Sequence, residues 1–225
     1  MNNLLAALLS GSGTMFDHNY SISVESGLVE QNDVDWDVMD NWQRNTGGVR
    51  VGYAMSPNME VLGSIHHGVQ STSYDNYYYG DYDYEYTSSE LNGYALSVSE
   101  TFIHVGPKFS WNLTKWFSPY ATAQGVLIHN RLQMADGHSI NEEDDSTYVD
   151  TSAMGIGLTG ALGLELRLRP IAKKTQLFTY FETGATTATP LNFVLGEAAA
   201  DGSDINIGDL GYGGGYYRLG LGTKF

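Results

Sequence analysis

Tyr217-Arg218-Leu219-Gly220-Leu221-Gly222-Thr223-Lys224-Phe225 decides how the chain is read. Tyr217, Leu219, Leu221, Thr223 and Phe225 fall on one face of an extended strand. Arg218, Gly220, Gly222 and Lys224 fall on the other. This period of two belongs to a strand with one apolar face. A strand carrying the last residue of the sequence has backbone donors and acceptors along both edges, and those edges need partners. Closure of the sheet into a barrel supplies them, and in a membrane closure is obligatory.

The same alternation recurs upstream and predicts eight strands in all. They lie near residues 18–29, 47–55, 59–70, 93–111, 120–134, 154–168, 177–189 and 210–225. The clearest is the sixth. Met154, Ile156, Leu158, Gly160, Leu162, Leu164, Leu166 and Leu168 form one stripe, and Gly155, Gly157, Thr159, Ala161, Gly163, Glu165 and Arg167 oppose it. The faces of the fifth strand, 120–134, do not separate by alternation. Strands of this length exceed the five or six residues usual in soluble sheets and suit the ~9–11 residues of a tilted bilayer-crossing strand.

The connections alternate in kind. Those after strands two, four and six are short (56–58, 112–119, 169–176), while those after one, three, five and seven are long (30–46, 71–91, 134–150, 191–209). The four long segments hold 20 of the 26 acidic residues and one basic residue, Arg44. The short ones carry Lys115, Arg169, Lys173 and Lys174 and no acid. Two ends so different in charge expect different surroundings, as in membrane barrels with short turns at one end and long loops at the other. An even strand count puts both termini at the short-turn end. Trp111, Trp116, Phe117, Tyr120 and Phe225 gather there as an expected aromatic belt.

Composition narrows the function classes. A net charge of −15 argues against a nucleic-acid partner, which requires clustered Lys and Arg. The absence of cysteine removes disulfides, thiolate metal sites and thiol nucleophiles together. Residues 1–16 include Leu4-Leu5-Ala6-Ala7-Leu8-Leu9, an apolar run that reads either as a signal-peptide remnant or as a short N-terminal helix. Residues 17–225 read as one barrel domain.

Residues 217–225, with Tyr217, Leu219, Leu221 and the terminal Phe225, resemble the C-terminal strand of bacterial outer-membrane β-barrels. Gly106-Pro107-Lys108 followed by Trp116-Phe117-Ser118-Pro119-Tyr120 resembles the strand–turn–strand centre of small porin-like, OmpA-transmembrane-domain-like barrels. The resemblance implies an eight-stranded antiparallel up-and-down barrel in the outer membrane of a Gram-negative cell envelope. It implies insertion by the barrel-assembly machinery through that terminal signal. It also implies extracellular loops, periplasmic termini and contact with lipopolysaccharide.

Alternation alone does not say which face is inside, since a lipocalin-type barrel and a membrane barrel are inversions of each other. The small residues opposite the leucine stripe suit a narrow filled lumen. The charges on that face also balance: Glu25, Glu100, Glu165 and Glu182 against Arg50, Lys108, Arg167 and Arg218. Charges withdrawn from water must pair, so these eight are expected to form a salt-bridge network plugging the lumen.

Three other constellations bear on function. Asp33, Asp35 and Asp37, with Asp201, Asp204 and Asp209, are carboxylates dense enough for weak Ca²⁺ binding, but none matches an EF-hand loop, and a solvated acidic surface is the simpler reading. Tyr77, Tyr78, Tyr79, Tyr82, Tyr84 and Tyr86 lie among acids in the second long loop, as a recognition surface or as strand extension. His66 and His67 are adjacent and so face opposite sides. Ser64 shares a face with His66, and no acid or oxyanion site is marked in sequence. The expectation is therefore a barrel without cofactor or enzymatic activity, structural or adhesive through acidic, Tyr-rich loops. A small solute pore is the alternative, and a lipid-modifying enzyme a distant third.

Overall fold

The structure, a computed structural model, describes residues 19–31, 42–74, 94–136, 147–172, 175–195 and 205–225. Eight strands make up its regular structure: β1 (Tyr20–Gln31), β2 (Trp42–Ser56), β3 (Met59–Tyr74), β4 (Tyr94–Ser110), β5 (Phe117–Asp136), β6 (Thr147–Ala172), β7 (Thr175–Leu195) and β8 (Ile205–Lys224). Each pairs antiparallel with its sequence neighbours, and β1 pairs with β8, so the sheet closes in the order β1 to β8. At the seam, Tyr20 and Phe225 exchange backbone N–H···O bonds of 3.0 Å. The rings of Tyr20, Tyr53 and Phe225 gather over them, Tyr20 lying 5.3 Å from Tyr53 and 6.3 Å from Phe225.

The strands are longer than the alternation suggests. β6 and β7 extend through Arg169 and Gln176, so the connection expected over 169–176 shrinks to residues 173–174. Phe117 to Pro119 belong to β5, not to a turn. Asp209, expected in a loop, lies in β8. Turn-like composition misled at these places because strands continue wherever a neighbouring strand offers backbone partners, whatever the local propensity.

The apolar face points outward. Leu162 is 64% exposed while Glu165 is 1% exposed. Across β2 to β6 the outer wall carries a continuous apolar row, Val49–Ile65–Ile103–Leu127–Ile156, each residue paired with the next. All five are exposed.

Toward the loop end the polarity reverses. The next outer row is Ser26–Gly47–His67–Thr101–His129–Met154, and the one beyond it is Val69–Ser99–Arg131–Ser152. Behind these rows, polar but for Met154 and Val69, the interior becomes apolar: Leu96, Val98, Phe102, Val126, Ile128, Leu132, Ala153, Leu191 and Phe193 form one buried cluster. Strands β4 to β7, which supply this cluster, are thus apolar-out in their turn halves and apolar-in in their loop halves. A tilted strand gains roughly 2.5 Å of height per residue, so a ~25 Å apolar band consumes about ten residues. With 26 residues in β6 and 20 in β5, the wall continues well past such a band as an ordinary water-facing barrel around its own hydrophobic core.

This reversal explains β5. Tyr120, Thr122, Gln124, Val126, Ile128, Asn130 and Leu132 all face inward, and the set changes from polar to apolar partway along. No single face is hydrophobic throughout, so alternation cannot assign it. Tyr120, expected in the aromatic belt, is inside the barrel and almost fully buried.

Candidate functional site

The interior of the turn half is a stack of ion pairs. At the turn end, Glu165 accepts from Lys108 Nζ at 2.7 Å, Lys224 Nζ at 2.7 Å and Arg167 Nε at 3.0 Å. Lys108 also faces Glu60 at 3.4 Å, and Ser21 Oγ donates to that carboxylate. Arg167 Nη2 donates to Asn112 Oδ1, and Asn112 Nδ2 donates to Pro57 O at 2.8 Å, which ties two turns across the mouth.

One layer up, Arg50 donates two parallel 3.0 Å bonds to Glu182, and its Nη2 also forms an ion pair with Glu25 at 3.0 Å. Glu182 further accepts from Tyr120 Oη at 3.1 Å and Tyr216 Oη at 3.2 Å, and Tyr180 Oη donates to Glu25. These four bonds occupy the lone-pair positions of Glu182. Arg218 lies 3.6 Å from the same carboxylate, stacks on Tyr216 with 4.0 Å from guanidinium carbon to ring centroid, and donates to His104 Nε2 at 3.2 Å. A guanidinium only donates, so His104 Nε2 is the acceptor and His104 is held neutral in that contact.

Three tyrosine rings reach the centre because the wall beneath each is a glycine. Tyr120 is paired with Gly163, Tyr180 with Gly220 and Tyr216 with Gly184. A methyl at Gly163 would sit 2.2 Å from Tyr120 Cζ, and one at Gly220 would sit 2.2 Å from Tyr180 Cζ. Ring and glycine together make a wall of normal thickness, with the hydroxyl delivered to the carboxylates.

Of the eight charges expected in the lumen, Glu25, Arg50, Lys108, Glu165, Arg167, Glu182 and Arg218 lie in these two layers. Glu100 lies apart among the apolar residues of the loop half, accepting 2.7 Å from Asn130 Nδ2. The structure adds Glu60, Lys224, His66, His104 and the three tyrosines. Glu60 and Lys224 were legible by parity, since Glu60 shares a face with Ser64 and His66, and Lys224 with Arg218. The interior then holds five acids and five cations among the described residues.

Sequence marks no acid for His66, yet Glu25 Oε1 lies 2.8 Å from His66 Nε2. Ser64 Oγ lies 3.0 Å from the same nitrogen. A nucleophile–base–acid relay uses opposite ring nitrogens, base function on one and orientation through the other. Here both partners converge on Nε2, inside a layer closed to solvent.

Asp33, Asp35, Asp37, Asp201 and Asp204, and Tyr77, Tyr78, Tyr79, Tyr82, Tyr84 and Tyr86, lie outside the described residues. For Asp209 the backbone alone is described. No cluster of three or more metal-ligating side chains occurs among the described residues.

No protein-family model matches the chain, and no curated protein is significantly similar in sequence. Solved structures do match. The outer membrane protein OprG from Pseudomonas aeruginosa aligns with 92% of this chain and 96% of its own, at 12% identity and a TM-score of 0.52. The chain has the fold of the small eight-stranded outer-membrane β-barrels. Ail, the attachment invasion locus protein of Yersinia pestis, aligns over 93% of this chain and 100% of its own at 12% identity and a TM-score of 0.49. Neisserial surface protein A aligns over 92% and 97% at 12% identity and 0.46. The outward leucine stripe and the inward ion pairs are the arrangement of a membrane-spanning barrel of this fold.

Proposed function

We propose that this outer-membrane barrel is a non-conducting, non-enzymatic surface protein whose loop end faces the exterior and whose turns and termini face the periplasm. Its work is adhesive or structural, carried by the acidic, Tyr-rich loops. The observation that carries this reading is the reversal of polarity along the strands. A wall that changes from lipid-facing to water-facing while keeping a packed core is a stiff stalk, and it holds the loop end clear of the lipid surface. The filled lumen supports the same reading, because an eight-stranded interior is only just wide enough for side chains. Binding is expected to reside in Tyr77, Tyr78, Tyr79, Tyr82, Tyr84 and Tyr86, with weak Ca²⁺ association at the loop carboxylates.

The test is adhesion of cells displaying the protein to immobilised glycans and matrix proteins, against cells displaying a variant with those six tyrosines changed to serine. Loss of adhesion at equal surface level is expected. Equal adhesion by both would sink the loop assignment. A small conduit is the second reading. It is favoured by Gln124 and Thr122, polar side chains facing the lumen between the ion pairs and the apolar cluster. Planar-bilayer recording separates the two, and the plugged barrel is expected to show no steady conductance.

A further inference from the structure

Arg218 is the cation of the lumen with the most hydrogen-bonding capacity to spare. Its side chain is 3% exposed, and Nη2 donates to His104 Nε2 at 3.2 Å. Nη1 lies 3.6 Å from Glu182, too far for a hydrogen bond, and that carboxylate is already occupied by Arg50, Tyr120 and Tyr216. Arg218 Nε and Nη1 thus have no acceptor among the described residues. His104 adds another donor. Because its Nε2 accepts from Arg218, the ring proton is on Nδ1, and Nδ1 is buried without a partner as well. N–H groups outnumber acceptors at this level of the barrel.

The charges lean the same way. Glu100 lies apart in the loop half, bonded to Asn130. The two ionic layers below it hold four acids, Glu25, Glu60, Glu165 and Glu182, against five cations, Arg50, Lys108, Arg167, Arg218 and Lys224. One positive charge is left over among the described residues.

A cavity adjoins Arg218, with Val29, Phe102, Thr186, Gly214 and Tyr216 among its other walls. The centre of a water-sized sphere has about 20 Å³ to occupy there, where one water needs ~10–15 Å³. The space suits a single sphere somewhat larger than water. Gly214, inward by parity and paired with Thr186, has no side chain to fill it. Glu30 also borders the cavity, but alternation along β1 turns its side chain outward, opposite to Glu25 and Val29. Thr186 and Thr159 share one hydroxyl proton at 2.9 Å, which leaves the pair a second to donate. A water in this place needs acceptors for its own protons, and walls of valine, aromatic rings and glycine supply few. A halide needs donors alone.

We infer that the cavity beside Arg218 is a seat for a monatomic anion, chloride in a cell, held by Arg218 and the Thr186 hydroxyl and completing the charge balance of the lumen.

The test is urea unfolding of the folded barrel in detergent over a chloride series, with gluconate keeping the ionic strength constant. The unfolding constant is expected to fall about tenfold for each tenfold rise in chloride above its Kd, the linkage of one ion bound to the folded state. General salt effects persist in Arg218→Gln, where the one-ion dependence should vanish. No chloride dependence in the unmodified protein, or an undiminished one in the variant, overturns the seat. Should the variant fail to fold, anomalous diffraction from bromide-soaked crystals of the unmodified protein decides. A bromide peak between Arg218 and Gly214 supports the seat. A water there, or bromide on the outer surface as an adventitious ion only, overturns it.

Discussion

Arg50 holds Glu182 in a two-pronged grip, Nη1 to Oε2 and Nη2 to Oε1, both at 3.0 Å. The pair joins β2 to β7 across the middle of the barrel, and the Glu182 carboxylate has no exposed surface. Bidentate geometry of this kind is the strong form of a charge-assisted bond.

Removing one member should cost far more than removing both. Glu182→Gln leaves Arg50 and Arg218 facing each other without their shared carboxylate, and a loss of about 3–5 kcal/mol is expected. Replacing Arg50 and Glu182 together by Met and Leu should recover much of it. Urea unfolding in detergent or lipid, read by the mobility shift between folded and heated protein on gels, measures both. Equal losses in the single and the double variant would contradict the pairing.

On the proposed non-conducting reading, the ionic layers and the apolar cluster would act as two seals of different chemistry, and each should hold alone. Arg50→Ala with Glu182→Ala empties the ionic layer and leaves Phe102, Leu191 and Phe193 packed above it. Single-channel recording should stay at background. Adding Phe102→Ala, Leu191→Ala and Phe193→Ala should produce discrete openings. Conductance from the unmodified protein would refute the sealed lumen outright.

Gly163 should tolerate nothing larger than hydrogen while Tyr120 is present. Gly163→Val forces the ring off the wall, an overpacking expected to cost about 1–3 kcal/mol. In combination with Tyr120→Ala the two losses should fall short of their sum, because the clash is then absent. Equilibrium unfolding of the two single variants and the double closes the cycle.

The reversal of polarity fixes where a new charge is tolerated. Leu164→Arg on the lipid-facing wall should lose about 2–4 kcal/mol, and Ser97→Arg or Ser152→Arg beyond the boundary about 0–1 kcal/mol. Folding titrations into lipid vesicles give the values. Similar costs at the two levels would mean that the boundary lies elsewhere.

What could be read from the sequence followed from periodicity, and what could not followed from distance. The eight strands and the outward stripe of β6 were visible because Leu162, Leu164 and Leu166 repeat without interruption. β5 was opaque because Thr122 and Gln124 share a face with Ile128 and Leu132, and a period assumes one solvent per face. Seven of the eight lumen charges were placed together by parity alone. The partner of His66 was beyond reach. Glu25 lies forty-one residues earlier in the chain, and β1 and β3 are not even neighbours in the sheet.

The tyrosines laid on glycines also answer a question that hydrophobic patterning leaves open. A slip of one residue between two strands turns every side chain to the wrong face and is rejected at once. A slip of two preserves every face, and leucine stripes are indifferent to it. The rings are not. Two residues off, Tyr120 would meet Ala161 or Glu165 in place of Gly163, and Tyr216 would meet Glu182 or Thr186 in place of Gly184. The bare positions in the wall are therefore alignment marks. They select one stagger from a ladder of otherwise equivalent ones, and with it the tilt and girth of the closed barrel.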